Sequence, residues 1–225
     1  MAAAVTGWAG AGHGAFRVQA PSQTVSYLSS HDDWTLWDKL VLTMDPARRF
    51  DDPQPALLAA NRLAAAFCFG CQGHWFLLAG EEYGRTKQGL RDSFNAPADL
   101  NRLDWQRAWT GPWQALADYY RGLMALRPQL PALCDKTASA RGRLLEAWRP
   151  GRQCAAFRLE NGGRWAQLIL CYNAAGRPRT LTLPDGDWQV LADGENSFLW
   201  QAEPARLVAG RAEAAPGAAL ILGRI

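Results

Sequence analysis

The sequence predicts an α/β region followed by an all-β region. Two observations carry the prediction. Residues 24–130 alternate strand-like and helix-like stretches, in the strand–helix–strand order of a parallel βαβ unit. From about residue 137, short strand-like runs recur between turn signals, the pattern of an antiparallel sandwich. Three segments result: a loop-like, poorly ordered lead-in over 1–23, an α/β region over 24–136 and a β-sandwich over 137–225.

The lead-in is rich in Ala and Gly. VSYLSS (25–30) is a strand candidate that ends at His31-Asp32-Asp33. TLWDKLVLTM (35–44) reads as a helix with Asp33 as its candidate cap and Pro46 as its stop. PALLAANRLAAAFCFG (55–70) has few β-branched residues and reads as a second helix, punctuated by Gly70 and Gly73. HWFLLAGEE (74–82) is an apolar run of strand length that closes in Glu81 and Glu82. Residues 83–109 are polar and too long for a simple connection, which marks them as functional or disordered. In GPWQALADYYRGLMALRPQL (111–130), Trp113, Leu116, Tyr120, Leu123 and Arg127 follow the helical period, with Ala117 and Met124 widening the stripe. Pro128 stops it. The strand runs that follow are separated by Pro150-Gly151, Asn161-Gly162-Gly163, Pro184-Asp185-Gly186 and Asp193-Gly194.

Composition narrows the function classes. With 48% hydrophobic and 20% charged residues, the chain can build a real core in water. The Arg residues are scattered and the net charge is only +3, which argues against nucleic acid as a partner. No apolar run is long enough to span a bilayer, so no membrane role is expected. The opening MAAAVTGWAGAGHGA lacks the pattern of a signal peptide. With reduced cysteines, that leads to an expected cytoplasmic location. Cys68 and Cys71 form a C-x-x-C inside an apolar helical stretch with no second ligand pair, and read as buried thiols. No metal site or cofactor is expected. The 11 Trp residues suit sugar binding, although most read as core. His74, alone on an apolar strand, also reads as core.

Two βα units alone leave sheet edges open and faces unburied. The region is either a small unusual α/β domain or the end of a (β/α)8 barrel, which needs about 250 residues. Three segments decide for the barrel: PSQTVSYLSSHDDWTLWDKL (21–40), QGHWFLLAGEEYGRTKQGLRDSFNAPADLNRLDW (72–105) and DYYRGLMALRP (118–128). They resemble the last part of the catalytic barrel of type I pullulanases, within the α-amylase superfamily. The sandwich resembles that superfamily's C-terminal all-β domain. The fold class so implied is a partial (β/α)8 barrel, its last two βα units, followed by an antiparallel sandwich.

The resemblance implies several roles. Asp32 is a catalytic transition-state stabiliser and His31 binds the same sugar. The family most often shows His-Asp-Asn here, whereas this chain has Asp33 in the third position, and an ionised Asp only accepts hydrogen bonds. Asp33, Trp34, Arg85, Asn95, Asp99 and Asn101 are the further substrate-binding candidates. Trp34 and Trp105 are candidate stacking platforms, Trp37 is a buried helix residue, and Glu81 and Glu82 have supporting structural roles. The substrate implied is pullulan or a branched α-glucan, cleaved at α-1,6 links with retention. That chemistry needs a nucleophile and a general acid. The family carries them on earlier strands, so the 225-residue chain is expected to be a piece without turnover, with the N-terminal barrel portion as its partner. Alternative readings are a non-catalytic α-glucan-binding module, a small structural or interaction protein, and an isoamylase- or neopullulanase-like relative.

Overall fold

Thr35, rather than Asp33, begins the first long helix. Its side chain accepts the Asp38 N–H at 3.0 Å, satisfying one of the free donors at a helix start. The computed structural model describes residues 1–13 and 16–225. The lead-in, expected as loop, carries a short helix α1 (Ala2–Val5) and a pair of two-residue strands, β1 (Gly12–His13) and β2 (Phe16–Arg17). Its order has a packing cause: Val5, Ala9 and Val18 are buried.

Strand β3 (Val25–Ser26), helices α2 (Leu36–Met44) and α3 (Pro55–Phe69), and strand β4 (His74–Trp75) follow in order. The two strands pair in parallel, Val25 with His74 and Ser26 with Trp75. Both are far shorter than the apolar runs containing them. Each has only the other as a partner among the described residues, so nothing on its outer side extends the ladder. Pro55 opens α3 at its first position, where a missing N–H costs nothing. Gly70 follows the last turn because a Cβ there would stand 1.9 Å from the Tyr172 hydroxyl oxygen.

After α4 (Ala98–Asn101), helix α5 (Gly111–Leu126) buries Trp113, Leu116, Tyr120 and Leu123. The stripe widens through Tyr119, Gly122 and Leu126 rather than toward Met124, which is exposed. Arg127 is buried as well: it donates to the backbone carbonyls of Phe69, and of Cys71, Gly73 and Leu133 at 2.9, 2.9 and 3.0 Å. A cation thereby satisfies carbonyls left free where α3 ends.

Helix α6 (Pro131–Cys134) leads into the all-β region. Its strands are β5 (Leu144–Gly151), β6 (Cys154–Glu160), β7 (Gln167–Asn173), β8 (Arg179–Thr182), β9 (Trp188–Ala192), β10 (Leu207–Val208), β11 (Arg211–Ala214) and β12 (Ala218–Arg224). Six form one antiparallel sheet in the order β10-β9-β12-β7-β6-β5, and β8 and β11 form a separate two-stranded ribbon. Successive side chains divide between two cores. Phe157, Leu159, Leu168, Leu170 and Ile221 join Leu57, Phe69 and Leu116 of the helices. Ala156, Ile169, Leu220 and Leu222 pack with Leu181 and Ala212 of the ribbon. The large sheet is covered on both faces, which is why LILCY and AALIL read as unbroken apolar runs. The antiparallel architecture is as expected, but helices rather than a full second sheet cover one face.

Candidate functional site

Past β3, Ser29 donates to Glu81 at 2.5 Å and ties the first parallel strand segment to the end of the second. Both residues are buried. Burial pushes the Glu81 carboxyl up to about 7, against the lowering effect of the Ser29 bond. Two residues beyond Ser29 the chain turns outward through His31, Asp32 and Asp33. His31 Nε2 and Asp32 Oδ2 are 3.4 Å apart, and their side chains are 87% and 82% exposed. The pair therefore stands in solvent.

The turn beneath the pair is braced. Asp33 has φ of 65°, a left-handed conformation that Asp tolerates better than most residues. Its Oδ1 accepts the Trp34 N–H at 2.8 Å and lies 3.3 Å from Arg91 Nε. The Trp34 N–H bond, with Arg91, Lys39 and Lys87 nearby, holds its carboxyl below the usual range. Lys87 Nζ donates to the carbonyls of Asp33 at 2.5 Å and Arg91 at 3.0 Å. Trp34 Nε1 donates to the Gly89 carbonyl at 2.9 Å. The bracing loop is fixed to α2 by Asp38, which is fully buried and accepts from the Thr86 hydroxyl and, at 2.9 Å, from the Lys87 N–H. Asp38 and Lys87 were given no role by the sequence. The one signal for Asp38 is its place three residues before buried Val41, which puts a charge on the inward side of the helix.

The remaining candidates fall elsewhere. Arg85 donates to the Asn101 carbonyl at 3.1 Å, and the Asn101 side chain exchanges two bonds with Ser93, at 2.8 and 2.7 Å. Asn95 is exposed in a turn closed by the Ala96 N–H to the Ser93 carbonyl. Asp99 is exposed beside Arg102 at 3.5 Å. A cleft of about 820 Å³ is lined by Tyr83, Arg85, Asp99, Arg102, Trp105 and Arg107 among others, and does not include His31 or Asp32. Trp105 is exposed there and meets Tyr83 edge-on at 5.8 Å. Tyr83 Oη, Arg85 Nε, and Arg107 Nε and Nη2 have no partner among the described residues. The cleft thus combines the exposed face of Trp105 with charged side chains of both signs, Asp99 and Arg102 among them. Trp37 is buried, as expected, with its Nε1–H donated to the Phe50 carbonyl at 2.7 Å, and His74 is half-buried in β4.

A family model described as "Pullulanase, all-beta domain" matches residues 144–196. Pullulanase of Bacillus subtilis (strain 168) is 31% identical over 180 residues, covering 78% of this chain and 24% of that protein. The glycogen debranching enzyme of Escherichia fergusonii is 31% identical over 162 residues, covering 66% of this chain and 22% of the relative. The solved pullulanase from Bacillus acidopullulyticus is similar with a TM-score of 0.83 and 32% identity, covering 99% of this chain and 26% of its own. A pullulanase variant from Paenibacillus barengoltzii complexed with maltotetraose has a TM-score of 0.80 at 33% identity, with coverage of 98% and 33%. The chain spans about a quarter of the length of the relatives it matches.

Proposed function

We infer, for a chain related to pullulanases over the C-terminal region of those enzymes, that it supplies one part of the active site of a starch-debranching glycoside hydrolase. In this reading β3 and β4 with the helices after them are the last two βα units of a (β/α)8 barrel. His31 and Asp32 then sit at the C-terminal end of a barrel strand, where such folds place their chemistry. The observation that carries the reading is the exposed His31-Asp32 pair on a half-buried turn braced by Lys87, Trp34 and Arg91.

The substrate is a branched α-glucan or pullulan, cut at an α-1,6 link with retention. Asp32 stabilises the positive charge that develops at the anomeric carbon, and His31 bonds the same sugar ring. Asp33 is held by Trp34 and Arg91, so its contribution is to shape the turn as well as to accept from sugar hydroxyls. Nucleophile and general acid come from other strands of the barrel, so the 225 residues alone have no turnover. The test replaces the matching region of the Bacillus subtilis pullulanase with this chain and follows reducing ends released from pullulan. The chimera should be active and Asp32→Asn should reduce kcat by about 10²-fold or more. Turnover by the 225 residues alone, abolished by Asp32→Ala, would overturn the assignment.

A second reading, α-glucan binding without cleavage, is favoured by the cleft around Trp105. Affinity electrophoresis in amylopectin separates it: retardation of this chain, lost in Trp105→Ala, with an inactive chimera, supports binding alone.

A further inference from the structure

Strands β6 and β7 pair with Ala156 opposite Cys171 and Cys154 opposite Asn173, so Cys154 and Cys171 lie diagonally across one strand pair. Both side chains belong to the core between the large sheet and the ribbon, and their sulfurs are 3.5 Å apart. A disulfide needs about 2.05 Å, so the sulfurs must close by about 1.5 Å. Cys154 pairs with Gly151 of β5 and Asn173 of β7, so the movement falls to rotation of the two side chains rather than to the backbone.

We propose that Cys154 and Cys171 are a modification site: a dithiol that closes to an intrachain disulfide when it meets a two-electron oxidant of the peroxide class. The two thiols are unequal. Cys154, 4% exposed at the start of β6, is the sulfur an oxidant reaches first, whereas Cys171 is fully buried. Cys154 is therefore the attacking sulfur and Cys171 the resolving one. The Cys154 thiolate attacks one peroxide oxygen, the O–O bond breaks, and hydroxide leaves as a sulfenic acid forms. The Cys171 sulfur then attacks the sulfenic sulfur, the S–S bond forms and the S–O bond breaks. The departing hydroxide takes the Cys171 proton and leaves as water. Two electrons pass from the sulfurs to the peroxide. The product staples two neighbouring strands of the large sheet.

The site is independent of the glucan reading and is tested on the chain itself. The protein is treated with equimolar hydrogen peroxide, unfolded in N-ethylmaleimide, digested and mapped by mass spectrometry. The expected result is a linked peptide pair containing Cys154 and Cys171, lighter by two hydrogens than the reduced peptides and restored by dithiothreitol. In Cys171→Ser, dimedone should label Cys154. Recovery of both thiols as maleimide adducts would overturn the proposal. So would a first linkage at Cys68–Cys71 or between chains through exposed Cys134.

Discussion

A carboxyl as buried as Glu81 makes the fold sensitive to pH. Its ordinary value is 4.5 and burial raises it to about 7, with Glu82 adding to the rise and Ser29, Lys39 and Tyr120 opposing it. Between those values the folded chain binds a proton that the unfolded chain releases. Stability is therefore greatest below the unfolded value and falls as pH rises through about 7. The difference is about 3 kcal/mol at most. Thermal melts at pH 5 and pH 8 should differ in the native chain, and Glu81→Gln should flatten that difference and raise the melting temperature at pH 8. Lys87 makes a separate prediction. Its ammonium holds the carbonyls of Asp33 and Arg91, so Lys87→Met should destabilise the fold by about 2 kcal/mol and speed amide exchange in residues 31–34. A denaturant titration and hydrogen exchange read the two effects. At this scale the sequence was legible where an element ends, as at Pro128, and less so where two polar residues compete. The sequence points to Asp33 as the cap, and Thr35 takes the role instead. Thr35 wins because the Asp33 carboxylate is already committed to Trp34 and Arg91.

Elements meet here through a few irreplaceable contacts. Arg127 leaves α5 and spreads its guanidinium over the carbonyls of Phe69, Cys71, Gly73 and Leu133. Arg127→Met strands those acceptors in the core and should cost about 3 kcal/mol in a urea titration. Arg127→Lys should recover only part of that, because a point-like ammonium does not span the fork. Gly122 brings α5 against the loop before β10. A Cβ there would lie 2.0 Å from Ser197 Oγ, while that hydroxyl donates to the Tyr119 carbonyl at 2.6 Å. Gly122→Ala should therefore be destabilising, by about 1–3 kcal/mol in the same titration, although Ala is the better helix former. The spacing of Trp113, Leu116, Tyr120 and Leu123 made α5 readable from sequence. Which flank of that stripe is buried was not readable, because the loop that meets Tyr119, through Asp193 and Ser197, lies distant in sequence.

At the scale of the molecule, the periodicity of the β runs made the antiparallel sheet legible, and the motif at His31 made the pullulanase likeness legible. Long-range choices were not: a single core unites the helices with one sheet face, and Asp38 reaches across to Thr86 and Lys87. The face left over makes the last prediction. Val25, Tyr27 and Phe76 are exposed on the parallel strand segments, and Tyr27 meets Phe76 edge-on at 6.3 Å. A contiguous apolar patch beside two open strand edges suits contact with further chain, and in water it favours association. The proposed barrel would cover it. The 225-residue chain should then bind anilinonaphthalene sulfonate and self-associate in light scattering. The pair Tyr27→Lys and Phe76→Lys should suppress both while leaving the melting temperature nearly unchanged, since neither ring lies in the core. In the pullulanase chimera the same pair should lower soluble yield, because there the patch would be interior. A chimera indifferent to both lysines would mean that this face remains in solvent in the longer protein, and the barrel assignment would fail with it.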